Sequence, residues 1–362
     1  MYINDLPENF LLPNISEPLV AWYRKHARPL PWRKGCNAYH TWVSEIMLQQ
    51  TRVEAVIPYY NRFLQHLPTI EALANADLEQ LNKLWQGLGY YSRVRNMQKA
   101  AQQVVTLYNG VLPADYNLLL TLPGIGPYTA GAIASIAYGQ KAPAVDGNVM
   151  RVLSRLFCLE DDIALPATKK GFTKLTWALQ SETAPGDFTQ GIMELGACIC
   201  IPNGAPKCAQ CPLQSFCTAF AQDCALTLPV KSAAQKKRQE HKTLLFCIAQ
   251  GKLCLQKRPD KGLLAGLWQP VLLDGNFSKE DVLGYVTKLG GTPKTIAALK
   301  PTKHIFTHIV WDMEAYAVTL PSPLSIENAC WITPRQIADS YPVPSAFKAA
   351  LTQALPFWQT DV

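Results

Sequence analysis

Four cysteines within eighteen residues constrain this chain more tightly than any other feature of its sequence. Cys200, Cys208, Cys211 and Cys217 follow the spacing C-x7-C-x2-C-x5-C, directly after a helix-like stretch ending at Gly196 and Ala197. Thiolates this close in sequence can converge on one soft-metal centre, either zinc or an iron–sulfur cluster. A zinc site usually shows two CxxC-like knuckles, and the single one here tilts the chemistry toward a cluster. Buried cysteines are common as small apolar residues. Four so close together, interleaved with Pro202, Pro206 and Pro212 in loop-like sequence, are too dense for that use. The chain has eleven cysteines in all, and its start, MYINDLPENFLLP, is acidic and proline-bearing, unlike a secretory signal or an Arg-rich transit peptide. That pattern argues against a disulfide framework and for a reducing compartment.

The 362 residues predict two or three domains. With 48% hydrophobic and 17% charged residues the composition is globular, and no apolar run approaches the ~20 residues of a membrane span. Residues 17–225 read as a string of helices. Apolar residues recur at three- and four-residue spacing in Trp42, Val43, Ile46 and Met47, in Leu73–Trp85 and in Ile133–Ala137, with Gly and Pro punctuation between. A second regime begins near residue 225. Lys231, Lys236, Lys237, Arg238 and Lys242 face a single Glu240 in a stretch without core-like periodicity, which reads as a basic linker over 226–242, either a solvated tether or a strip along a phosphate backbone. Beyond it, β-branched and aromatic runs with glycine turn signals predict a small α+β domain over 243–362. The net charge of +7 is compatible with a nucleic-acid partner and equally with many metabolic enzymes.

Three further motifs carry chemistry. Leu122-Pro-Gly-Ile-Gly-Pro127 followed by Tyr-Thr-Ala-Gly-Ala-Ile predicts a helix, a tight turn and a second helix. Gly124 and Gly126 are expected to turn with positive φ and to leave N–H groups at the next helix start for a backbone phosphate. An ordinary helical turn needing glycine is the plainer account. Glu45 sits in the apolar run Trp42-Val-Ser-Glu-Ile-Met-Leu48, with no cation at i−4 or i+4. If it faces inward, desolvation raises its pKa and suits it to general-acid work; an arbitrary glutamate would face solvent. Asp146 opens Asp-Gly-Asn-Val-Met-Arg as a helix N-cap, where backbone N–H groups should hold its pKa low. A neutral carboxylic acid paired with a carboxylate is the division of labour that cleaves a glycosidic bond.

Together SEIMLQQT, GLGYYSR, LPGIGPYTAGAI, AVDGNV and the cysteine spacing resemble the helix-hairpin-helix DNA glycosylases with a [4Fe–4S] cluster, and among them the adenine DNA glycosylases of the MutY type. The resemblance is strongest over residues 20–225. It implies a mainly α helix-hairpin-helix core with an iron–sulfur cluster loop, plus a C-terminal α+β Nudix-like domain. The helical region would span 1–225, with a six-helix module over about 30–136 and a cluster module built from the N-terminal segment and about 137–225. It implies removal of adenine mispaired with 8-oxoguanine or guanine in double-stranded DNA, after the base is flipped out. Glu45 then matches the acid that protonates adenine N7 and later handles water, Asp146 the carboxylate that stabilises the cationic sugar, and Asn148 a residue orienting water and Asp146. Tyr128 stands where lyase-competent relatives carry lysine, so the chain reads as monofunctional. Gln50, Thr51 and Tyr90 match residues beside the opposing 8-oxoguanine. Trp32, Arg33, Leu48 and Gln190 resemble the adenine-pocket lining.

Two departures from the family pattern stand out. The first cysteine gap is seven residues where six is usual, and counting from Cys198 would widen it to nine, so Cys200 is retained as a ligand. In the C-terminal domain His304-Ile-Phe-Thr-His308 replaces a typical Phe-Ser-His, so that Phe306, Thr307 and His308 would form the 8-oxoguanine reader, with Thr307 supplying the hydroxyl. The Nudix hydrolase signature is absent from Phe277–Gly291, so this domain should recognise and not hydrolyse. A monomer in the cytoplasm of a bacterial host, at the nucleoid, is the expected setting. The competing readings are an endonuclease III-like glycosylase and AP lyase, which Tyr128 and the extra domain disfavour, and a non-catalytic iron–sulfur DNA-binding protein, which has no use for a buried acid.

Overall fold

The structure, a computed structural model, describes residues 2–3, 12–35, 37–233 and 236–359. Residues 1 and 4–11 of the acidic start, and residues 234 and 235 of the basic stretch, lie outside the described residues. The chain divides into two compact units, Met1–Asn75 with Asn96–Ala233, and Ala76–Arg95 with Ala234–Val362. The second unit therefore takes in twenty residues that the sequence assigns to the helical region. Among the described residues no helix is long and apolar enough to cross a membrane.

The first unit is helical. Its leading part carries α1 (Ser16–His26), α2 (Ala38–Leu48), α3 (Val53–His66) and α4 (Ile70–Asn75). After the segment of the second unit that holds α5 (Leu78–Leu84) come α6 (Ser92–Tyr108), α7 (Tyr116–Leu120) and α8 (Pro127–Ala132). The unit ends with α9 (Gly147–Leu156), α10 (Pro166–Leu179), α11 (Pro185–Cys198) and α12 (Thr218–Ala221). Asn37, Asp115 and Asp146 cap α2, α7 and α9 by accepting backbone N–H bonds. α1, α9, α10 and α11 share a core of Leu19, Val149, Leu153, Phe172, Phe188 and Ile192, against which Cys200, Cys211 and Cys217 also pack.

The predicted turn lies between α7 and α8, and α8 runs on into a π-helical turn, Ile133–Ala137. Its small residues permit close packing: a β-carbon at Gly131 would stand 2.0 Å from the Pro143 carbonyl oxygen. The two turn glycines are not equivalent. Gly124 has φ of 78°, but Gly126, the cap residue of α8, has φ of −96° and extended ψ, which any residue adopts. Pro127 at the first helical position removes one of the expected N–H donors.

In the second unit the strands are β1 (Arg238–Ala249), β2 (Lys252–Lys257), β3 (Trp268–Gln269), β4 (Val271–Asp274), β5 (Thr295–Ala298), β6 (Thr302–Ile305), β7 (Ile309–Leu320) and β8 (Ala329–Ile332). They form one mixed sheet of order β3-β2-β1-β7-β5, with β1 and β7 parallel and further pairs β1–β4, β6–β7 and β2–β8. Alternation along β1 sends Leu244, Phe246 and Ile248 to one core, shared with the last helix, Lys348–Gln359. Leu245 and Cys247 face the other, shared with α13 (Lys279–Lys288). Burial on both faces explains why this strand reads as a continuous apolar run.

The linker is shorter than the sequence suggests. β1 starts at Arg238, because Arg238–Lys242 pair with Ile309–Met313 of β7. Upstream, Leu228 is buried and its carbonyl accepts from Arg155 Nε at 3.0 Å, while Val230 accepts from Ile163 N–H at 3.1 Å. Within the second unit α5 and its following loop dock on the sheet domain: Lys83 Nζ donates to the Ile337 carbonyl at 3.1 Å, Gln86 Nε2 to that of Val343 at 2.9 Å, and Lys257 pairs with Glu79 at 3.1 Å.

Candidate active site

Three elements of the first unit build the site. α2 supplies Glu45, which is only 7% exposed because Trp42, Val43, Ile46 and Met47 around it are buried as well. α8 supplies Tyr128, whose hydroxyl donates to Glu45 Oε2 and lies 3.8 Å from the Met193 sulfur. The start of α9 supplies Asp146, whose Oδ1 accepts from the Val149 N–H and whose Oδ2 accepts from Asn148 Nδ2, both at 2.8 Å.

Burial pushes the Glu45 carboxyl up to about 7; the Tyr128 hydroxyl pulls it down, the Asp146 charge pushes it up and the Arg33 guanidinium pulls it down. The two acids thus feel one another, and the Tyr128 phenol, held protonated by burial, feels both. Asp146 departs from its expected low pKa. Burial raises it above the ordinary carboxylate value, and the bonds from Val149 and Asn148 and the charge of Arg151 oppose that rise without cancelling it. Desolvation of the buried carboxylate outweighs the donors that cap it. An asymmetry survives: Asp146 has a backbone N–H, an amide and a guanidinium favouring its anion, whereas a phenol is the one hydrogen-bond donor that shifts Glu45.

Two networks escaped the sequence reading. Glu194 of α11, 2% exposed, accepts from Arg28 Nε at 2.7 Å and from Arg33 Nη2 at 2.9 Å. Burial alone would raise its pKa, but the two guanidiniums outweigh it and hold it at about 2. Its signal was present, an acid inside the apolar run Ile192-Met-Glu-Leu195, the same pattern that singled out Glu45. The second network runs along α9. Arg151 Nη2 donates to Asn148 Oδ1 at 2.8 Å, and its Nε donates to the Cys200 carbonyl, also at 2.8 Å. Asp146, Asn148, Arg151 and the first cysteine of the quartet are therefore one hydrogen-bonded chain.

The remaining residues singled out in the first unit make contacts of their own. Trp32 is buried edge-on to Tyr60 at 5.4 Å, and Arg33 lies over the Tyr23 ring as well as on Glu194. Leu48 and Gln190 are half-buried on α2 and α11, Thr51 is half-buried, and Gln50 is exposed with φ of 60°. In the second unit Tyr90, 48% exposed with φ of 47°, bonds through its hydroxyl to Thr307 Oγ1 at 2.8 Å. Thr307 and His308 sit exposed at the β6–β7 turn, closed by Phe306 N–H to the Ile309 carbonyl at 2.8 Å. Phe306 packs edge-on between His304 and Trp311.

Cys200, Cys208, Cys211 and Cys217 line one small cavity of about 30 Å³, together with Arg155, whose Nη1 lies 3.3 Å from the Cys200 sulfur. Cys198 does not line it and points to Glu194 at 3.7 Å. The long first gap is closed by Lys207 N–H on the Ile199 carbonyl at 3.0 Å, so the extra residue is taken up in the loop. Among the described residues no three His, Cys, Asp or Glu side chains are placed to hold a single metal ion. Four thiol sulfurs lining one cavity form a donor set that fits a thiolate-bound centre.

Residues 43–178 match the family model described as HhH-GPD superfamily base excision DNA repair protein, and residues 243–353 match that of the NUDIX domain. The adenine DNA glycosylase of Rattus norvegicus is 35% identical over 87% of this chain and 73% of its own length. The chain belongs to the adenine DNA glycosylase family. The family's member from Buchnera aphidicola (strain Bp) is 35% identical over 81% of this chain and 82% of its own. A thermostable thymine-DNA glycosylase structure matches with a TM-score of 0.51 at 26% identity, covering 57% of this chain and 94% of that one. As an adenine DNA glycosylase family member the chain is an enzyme of base excision repair, a helix-hairpin-helix glycosylase with a C-terminal Nudix-like domain.

Proposed function

We propose that the enzyme excises adenine opposite 8-oxoguanine or guanine in double-stranded DNA, using Glu45 as general acid and Asp146 as the fixed anion. The observation that carries this reading is the placement of a buried acid near pKa 7 within electrostatic reach of a second carboxylate, one that accepts from Val149 and Asn148 and lies near the Arg151 charge. Glu45 gives its proton to N7 of the flipped adenine, and the C1′–N9 electron pair leaves with the neutral base. Asp146, oriented by Asn148, stabilises the oxocarbenium-like sugar, and the Glu45 carboxylate then takes a proton from the attacking water. Tyr128 holds Glu45 in place and, lacking an amine, forms no Schiff base, so no strand cleavage accompanies excision. Arg33, fixed by Glu194, lines the adenine pocket with Trp32, Leu48 and Gln190, while Gln50 and Thr51 lie beside the opposing base. The deciding assay compares single-turnover excision from A:8-oxoG, A:G, T:G and thymine-glycol duplexes. Release of adenine from the first two alone is expected, and preference for either thymine substrate would overturn the assignment.

Cys200, Cys208, Cys211 and Cys217 would hold a [4Fe–4S] cluster, which when bound cross-links their loop. Arg151 and Arg155 tie that loop to α9, which Asp146 caps. The purified protein should be brown, with an absorption band near ~400 nm that a zinc protein lacks.

We assign 8-oxoguanine reading to Thr307 and Tyr90, supported by their shared hydrogen bond. Thr307→Val removes the hydroxyl and keeps the shape. It should lower excision from A:8-oxoG about tenfold, the worth of one lost hydrogen bond to a polar group, and leave A:G excision nearly unchanged. Equal losses on the two duplexes would remove the reader role.

Tyr128→Phe removes the hydroxyl that lowers the Glu45 pKa. The alkaline limb of the excision rate should move to higher pH, since the acid stays protonated longer. An unmoved limb would detach Tyr128 from the acid.

A further inference from the structure

We propose that Cys158 and Cys224 are a reversible oxidative modification site, closing to a disulfide that is separate from the four cluster-spaced cysteines. Their sulfurs lie 3.3 Å apart across 66 residues of sequence. A disulfide bond is about 2.05 Å long, so the two sulfurs are already close to bonding distance. Both residues keep part of their surface exposed, whereas Cys247 and Cys254 of the sheet are buried.

The backbone at Cys158 is a second, independent observation. It directly follows Phe157, the cap residue of α9, and has φ of 51°. Helices commonly place glycine in this left-handed position, because a β-carbon there is strained. What the cysteine gains over glycine is a sulfur in contact with Cys224 and 3.4 Å from Gln222 Oε1. Cys224 is anchored in turn: its N–H donates to the Ala219 carbonyl at 2.9 Å, and its own carbonyl accepts from Thr227 Oγ1 at 2.9 Å.

The bond would form by exchange with a low-molecular-weight disulfide. One cysteine thiolate attacks a sulfur of that disulfide, giving a mixed disulfide and one released thiolate. The second cysteine thiolate then attacks the protein sulfur of the mixed disulfide and releases the other thiolate. The cysteine pair loses two electrons, the small disulfide is reduced to two thiols, and these take up the two protons the cysteines gave up. The closed ring spans residues 158–224 and so encloses Cys200–Cys217, joining the end of α9 to the segment that follows the quartet. In a reducing compartment the pair stays open, and disulfide stress closes it.

The test is peptide mapping of the full-length protein with its metal centre intact, treated with oxidised glutathione, alkylated and digested without reductant. A Cys158–Cys224 peptide at least ~10-fold above any other pairing is expected, because these two are already in contact. Dithiothreitol should remove it. Cys158→Ser and Cys224→Ser should each abolish it while keeping full excision activity in reducing buffer. Complete alkylation of both thiols, glutathione retained on Cys158 without ring closure, or predominant links to the quartet would each overturn the proposal.

Discussion

Glu45→Gln should abolish adenine release while leaving duplex binding intact and making the protein more stable at alkaline pH. The amide keeps the shape and can still accept from Tyr128, but it has no proton to give. Loss of a positioned general acid costs on the order of 10² to 10⁴ in rate, readable in single-turnover excision. The stability change follows from the same burial. The folded carboxyl, at about 7, binds its proton more tightly than the unfolded one near the ordinary value of 4.5. Stability therefore falls as pH rises from about 4.5 to about 7, and the full cost, about 3 kcal/mol, is present above that window. The glutamine variant does not carry this cost, so its advantage in denaturant melts should appear at pH 8 and vanish at pH 4. Wild-type turnover in the variant would remove Glu45 from the chemistry. An unchanged stability difference between the two pH values would mean the carboxyl is not desolvated.

Asp146→Asn should lose on the order of 10² to 10³ in excision rate with its helix intact. Asparagine is as good an N-cap as aspartate, so α9 keeps its acceptor for the Val149 N–H. What disappears is the negative charge facing the developing sugar cation. Circular dichroism and melting temperature at neutral pH should match or exceed wild type, since a carboxylate disfavoured by burial has been removed. Near-normal excision would show that no fixed anion is needed. A collapsed melt would show that the charge serves the fold. The two substitutions also separate in pH dependence: Asp146→Asn leaves the Glu45 acid in place and should lower its pKa, because a neighbouring negative charge no longer raises it.

The sequence by itself determined the change from helical to sheet-forming regime, the turn that presents Tyr128, the spacing of the four cysteines and the candidacy of Glu45 and Asp146. These signals are local: helix periodicity and capping act within about four residues, and an acid without a nearby cation can be seen in a short window. Tertiary structure alone decided the rest. Tyr128 meets Glu45 across 83 residues, Arg28 meets Glu194 across 166, and Arg151 reaches the Cys200 carbonyl across 49. The raised pKa of Asp146, the transfer of residues 76–95 to the second unit and the start of β1 at Arg238 likewise depend on surfaces contributed from elsewhere in the chain. Desolvation and long-range hydrogen bonding are properties of a packed environment, and a sequence window holds only part of the atoms that make it.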